Sequence, residues 1–87
     1  MKLKKDLILR QVAGIWVVVA VGMASLDFNG MLTLNESGAV LWRALEQGGN
    51  REAMADALMA EYIVDRQQAL QDADAFLEKL KSVGCLE

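Results

Sequence analysis

With 87 residues, 54% of them hydrophobic and 24% charged, the chain has room for one small core, and its apolar share suffices to pack that core without metal or disulfide staples. A single cysteine, Cys85, and the complete lack of histidine and proline exclude an intrachain disulfide and close the commonest routes to zinc binding, catalytic triads and histidine acid–base chemistry. The net charge of −3 is uneven: residues 1–49 carry five basic and four acidic side chains, residues 50–87 four and eight. An acidic C-terminal half opposes binding to a phosphate backbone, which needs clustered lysine and arginine.

The N-terminal run from Met1 to Asp6 followed by apolar residues has the outline of a secretory signal. However, the uncharged stretch between Arg10 and Asp27 is 16 residues long, short of the roughly 18 to 20 that span a bilayer, and an arginine interrupts the apolar core such a signal needs. Its centre, Ile15 to Val21, lies between Gly14 and Gly22 and has the β-branched composition of a buried strand. A reducing, cytoplasmic setting with no membrane attachment is therefore expected, and Cys85, without a histidine to activate it, reads as an apolar thiol.

In chain order the sequence predicts strands over about 7–13, 15–21 and 28–34, with Gly14 as the first turn and 22–27 as a loop. In the third strand Phe28, Leu32 and Leu34 share a face with Gly30, while Asn29, Met31 and Thr33 share the other. At Asn35, a favoured helix cap, the period changes, and Val40, Leu41, Ala44 and Leu45 recur at helical spacing. The first helix is expected over 36–47, stopped by Gly48-Gly49. Asn50 caps a second over 51–63, with Met54, Leu58, Tyr62 and alanines 53, 57 and 60 as its buried stripe. Asp65 caps a third over 66–83, where Ala69, Leu70, Ala73, Phe76, Leu77, Leu80 and Val83 form one apolar arc.

The pairs Asp72 with Asp74 and Glu52 with Asp56 fall on solvated helix faces rather than in a cleft fit for acid–base work. Gly48-Gly49 lacks the strand before it and the Lys-Ser/Thr after it that a phosphate loop requires. Trp42 reads as core, whereas Trp16, alternating against Ile15, Val17 and Val19, reads as facing outward. What remains is a sheet edge beside an amphipathic helix. Unpaired N–H and C=O groups on such an edge accept an extended peptide as an added strand, with alternate side chains entering pockets against the helix. The competing reading is an edge that is covered, or paired in a homodimer.

Three segments in this order are recognisable: Leu34-Asn35-Glu36-Ser37-Gly38-Ala39-Val40-Leu41-Trp42, then Glu61-Tyr62-Ile63-Val64-Asp65, then Asp72 to Leu80 followed by Val83-Gly84-Cys85-Leu86. Together they resemble the PqqD-like family, also called the RiPP recognition element, along essentially the whole chain. The resemblance implies an α+β winged helix-turn-helix fold in which a three-stranded antiparallel sheet precedes three helices, in a single domain. It implies a non-catalytic module without cofactor or metal that binds the leader of a ribosomally synthesised precursor peptide along its third strand. The leader is then presented to a modifying enzyme such as a radical S-adenosylmethionine protein, a cyclase or a leader peptidase.

Carried onto this sequence, the strand edge comprises Phe28, Asn29, Gly30, Met31, Leu32 and Thr33. The helix wall comprises Asp72, Phe76 and Lys79, with Ala73 and Leu80 as its floor. The opposite flank of that helix, with Leu70 and Asp74, is the alternative wall. The family branch serving pyrroloquinoline quinone biosynthesis has a proline-containing N-terminal segment and an acidic-Gly turn. This chain has no proline and reads Met23 to Gly30 as MASLDFNG, so leader binding is implied without that particular role. A winged-helix module that binds DNA is the alternative function, because the fold is shared; the acidic balance of the helices opposes it.

Overall fold

The computed structural model describes residues 2–21 and 31–87. Its elements are β1 (Leu7–Val12), β2 (Ile15–Ala20), β3 (Met31–Leu34), α1 (Glu36–Glu46), α2 (Arg51–Glu61) and α3 (Arg66–Ser82). The sheet is antiparallel in the order β1-β2-β3, and all three helices follow it. This is the α+β, winged helix-turn-helix arrangement expected. Of the predicted third strand, Phe28, Asn29 and Gly30 lie outside the described residues.

β1 and β2 join through Ala13 and Gly14, both at positive φ, 51° and 81°. Two left-handed residues in succession form the type I′ turn, whose twist matches that of the flanking strands. Glycine accepts this conformation freely, whereas Ala13 adopts it at a cost of about 1–2 kcal/mol. The register pairs Val12 with Ile15, Arg10 with Val17 and Leu9 with Val18, then Val18 with Leu32 and Trp16 with Leu34. Because side chains alternate across a sheet, Leu7, Leu9, Trp16, Val18, Leu32 and Leu34 share the face that meets the helices, and all pack in or against the core. Trp16 therefore faces inward, contrary to the outward reading. It is half-buried beneath the Arg43 guanidinium, which sits 4.5 Å from the ring centroid; it is Ile15, Val17 and Val19 that occupy the outer face.

Each helix starts where an Asx side chain takes up an orphan amide. Asn35 accepts from the Gly38 N–H at 2.8 Å, Asn50 from Ala53 at 2.9 Å and Asp65 from Gln68 at 2.8 Å, each the N-cap bond expected of these residues. The core joins Trp42 and Leu45 of α1, Met54, Ala55 and Leu58 of α2, and Ala69, Ala73, Phe76, Leu77 and Leu80 of α3 to the sheet. Trp42 is completely buried, and its indole N–H has no hydrogen-bond partner among the described residues. The buried stripe of α2 is narrower than expected: Ala60 is exposed within the helix, and Tyr62 and Ile63 are exposed beyond its end at Glu61. Val83 is likewise exposed, since α3 has ended one residue before it.

The segments 2–4 and 85–87 meet. Lys4 N–H donates to the Cys85 carbonyl at 2.9 Å and Glu87 N–H to the Lys2 carbonyl at 2.8 Å, so that Leu3 and Leu86 lie opposite one another. This bridge seals Cys85 in the core. Burial raises its thiol pKa, and nearby Lys4 offsets part of that shift. No described helix is long and apolar enough to cross a membrane.

Candidate functional site

The hydrogen-bond parity of the sheet follows from the hairpin. In a two-residue turn the flanking residues, Val12 and Ile15, form the bonded pair, and bonded and non-bonded pairs then alternate along the ladder. The bond from Val21 N–H to the Asp6 carbonyl, 2.9 Å, falls on the same alternation. Ile15, Val17 and Val19 thus turn their backbone groups toward β1, and Trp16, Val18 and Ala20 turn theirs toward β3. Opposite the latter, Leu34 and Leu32 bond inward to β2. Met31 and Thr33 therefore direct their N–H and C=O groups to the outer edge, and among the described residues no strand pairs there. Of the expected edge residues, Leu32 contributes no free backbone group, and its side chain is buried.

Beside this edge lies a cavity of about 530 Å³. One wall is the end of β3 and the first turns of α1, with Leu34, Asn35, Ser37, Gly38 and Leu41; the other is α3, with Asp72, Ala75, Phe76 and Lys79. The two walls come close because residue 38 has no side chain. A Cβ there would sit 3.1 Å from Asn35 Oδ1 and 3.4 Å from Phe76 Cε1, so glycine lets the Phe76 ring approach the capped first turn. Asn35 Oδ1 also accepts from the Ser37 hydroxyl at 3.1 Å. The Asp72 carboxylate accepts from the Gln68 side-chain amide at 2.9 Å. Among the described residues, neither Asp72 nor Lys79 has an opposite charge within ion-pair distance.

Of the helix residues singled out from the sequence, Asp72, Phe76 and Lys79 are thus gathered in one groove with the end of β3. Ala73 and Leu80 are not part of it: both are fully buried, on the inner side of α3 against the core, and Ala75 lines the groove instead. The first turn of α1 was absent from the expected set. Its signal was the single-residue connection at Asn35, which obliges the helix to begin where the strand ends.

The opposite flank of α3 is engaged otherwise. Arg51 grips Asp74 through two hydrogen bonds of 2.5 and 2.9 Å. That hydrogen-bonded pairing holds the Asp74 carboxyl below the usual carboxylate range and raises Arg51. Arg66 reaches back to Asp56 at 2.7 Å. The carboxylates read as solvated from the sequence are exposed or half-exposed, and two of them tie α2 to α3. A second cavity, about 560 Å³, lies between α1 and α2 with Ala44, Ala53, Ala57 and Ala60 in its lining. Two of its charged lining residues, Arg43 and Asp56, are already engaged by Trp16 and Arg66. Among the described residues no three histidine, cysteine or acidic side chains cluster as metal ligands.

The fold and its groove define a winged helix-turn-helix domain that leaves a sheet edge open beside its last helix. A family model described as coenzyme PQQ synthesis protein D (PqqD) matches residues 16–86, and the chain belongs to that family. The solved structure of TbiB1 in complex with the TbiA(beta) leader peptide is similar at a TM-score of 0.81 and 29% identity, covering 100% of this chain and 95% of that one. A lasso peptide synthetase B1 complexed with the leader peptide has a TM-score of 0.78 at 24% identity, covering 99% and 95%, and supports the fold. No curated protein matches the sequence.

Proposed function

We propose that this protein captures the leader of a ribosomally made precursor peptide as an added strand on β3 and presents it to a modifying enzyme, without catalysing a reaction itself. The observation that carries the reading is the outward-directed backbone of Met31 and Thr33 next to the groove lined by Leu34, Phe76, Asp72 and Lys79. Main-chain pairing supplies affinity in strand addition, and pockets for alternate side chains supply selectivity. Family membership and the leader-bound state of TbiB1 support it. The enzyme partner expected from the family resemblance is a radical S-adenosylmethionine protein, a cyclase or a leader peptidase, and chemistry and cofactors reside there. An unoccupied β3 edge also suits pairing with a second copy, which peptide would compete away.

Duplex DNA is the poorer ligand. Arg51 and Arg66, the arginines of α2 and α3, are held by Asp74 and Asp56, so the helices that would meet phosphate have committed these cations to their own carboxylates.

Titrating the labelled protein with the leader of a precursor peptide encoded beside it tests the reading. Amide shifts should concentrate in Met31 to Leu34 and around Phe76, with slowed exchange at Met31 and Thr33. If no neighbouring leader produces shifts at concentrations on the order of tens of micromolar, corresponding to a weak 6 kcal/mol interaction, leader capture is wrong.

A further inference from the structure

Resting on the leader-capture reading, we propose that Asp72 and Lys79 make the groove selective for a peptide with two opposite charges flanking an apolar residue, in one order along the chain. Both side chains line the same cavity, with Phe76 between them. Unlike Asp74, which Arg51 neutralises, neither has an ion-pair partner among the described residues. Asp72 accepts only a neutral amide, from Gln68. The groove therefore carries a negative end and a positive end.

The spacing fixes the pattern. Seven residues of α-helix separate the two charges by about 10 Å along the axis. A peptide lying on β3 turns every second side chain toward the helices, on the face shared by Leu32 and Leu34, at steps of about 6.7 Å. Positions four apart thus span about 13 Å, and the flexible lysine stem absorbs the difference. The residue midway between them lies over Leu34, Leu41 and Phe76, where an apolar side chain fits. The pattern is charge, any residue, apolar, any residue, opposite charge. Reversing the two charges places like against like at both ends, so the pair also rejects a peptide threaded the wrong way. Each exposed ion pair is worth a factor of about 1.5 to 5, so with two pairs a matched peptide should bind about 2- to 25-fold tighter than its charge-reversed counterpart, and less so in high salt.

The test is selection from a displayed library of random 12-residue peptides on the wild-type protein and on the double variant Asp72→Lys/Lys79→Asp, which keeps the net charge. Peptides enriched on the wild type should share opposite charges four apart around an apolar residue, and those enriched on the double variant should show the reverse order. Synthetic peptides of both orders, measured by fluorescence anisotropy, should exchange their preference between the two proteins. Enrichment of the same sequences on both proteins, or of peptides without paired charges, overturns the charge selection and leaves strand capture standing. If circular dichroism shows both proteins folded and neither enriches any peptide, strand capture fails and this proposal with it.

Discussion

Thr33 is exposed, and its amide points away from β2, opposite the non-bonded partner Val17. A proline placed here removes no ladder hydrogen bond, as proline on the outer side of an edge strand generally does not. Thr33→Pro should therefore leave the far-ultraviolet spectrum intact and lower the urea midpoint only slightly. Leader affinity, by contrast, should fall about tenfold or more, because an intermolecular backbone hydrogen bond is lost and the ring obstructs the approaching strand. Leu32→Pro would break a bond to β2 and unfold the sheet. Equal loss of binding and of folding in both variants would contradict the assigned parity.

At the level of elements, α2 and α3 are clamped twice in reciprocal fashion, the first residue of each reaching a carboxylate further along the other: Arg51 to Asp74 and Arg66 to Asp56. Because Asp74 titrates below its unfolded value, the stability it contributes is present above the unfolded carboxylate pKa and disappears as pH falls through the folded one. Urea denaturation of wild type and Asp74→Asn should show the wild type ahead near neutrality and the two converging in acid. A gap that persists at low pH would show that packing rather than charge holds the helices there. The helix starts were legible in the sequence because Asn35, Asn50 and Asp65 act on amides three residues away. Along α3, the helical period put Asp72, Phe76 and Lys79 on one flank, and these three do line one cavity. Ala73 and Leu80, read as its floor, are instead fully buried outside that lining, because the rotation of a helix is set by its neighbours. Trp16 was misplaced because Ile15, Val17 and Val19 are themselves apolar, so alternation alone does not say which face is inner. The Arg51–Asp74 clamp joins residues 23 apart, and only the crossing of two helices creates it.

Across the whole molecule, the Leu3–Leu86 bridge joins segments with nearly the full chain between them, a contact that no local pattern announces. It covers Cys85, whose buried thiol pKa is raised and whose thiolate is thereby scarce. Modification by a thiol reagent should be slow in the folded protein and should accelerate when Leu86→Asp loosens the bridge, even at denaturant concentrations where α3 remains intact. Rapid labelling of the wild type would mean that the bridged segments separate readily. The cavity that Lys2 to Leu7 help to line also includes Leu45, Glu46 and Gly48, at the far end of α1 from Asn35 and Gly38. The bridged segments thus pack against the C-terminal end of that helix, and Cys85 N–H donates to the Leu80 carbonyl at 2.9 Å. The backbone from residue 2 to residue 87 is therefore close to a closed ring. A short loop joining residues 2 and 87, with new ends cut at the Ala13–Gly14 turn, would give a circular permutant in which β3, α1 and α3 keep their connections and the groove its shape.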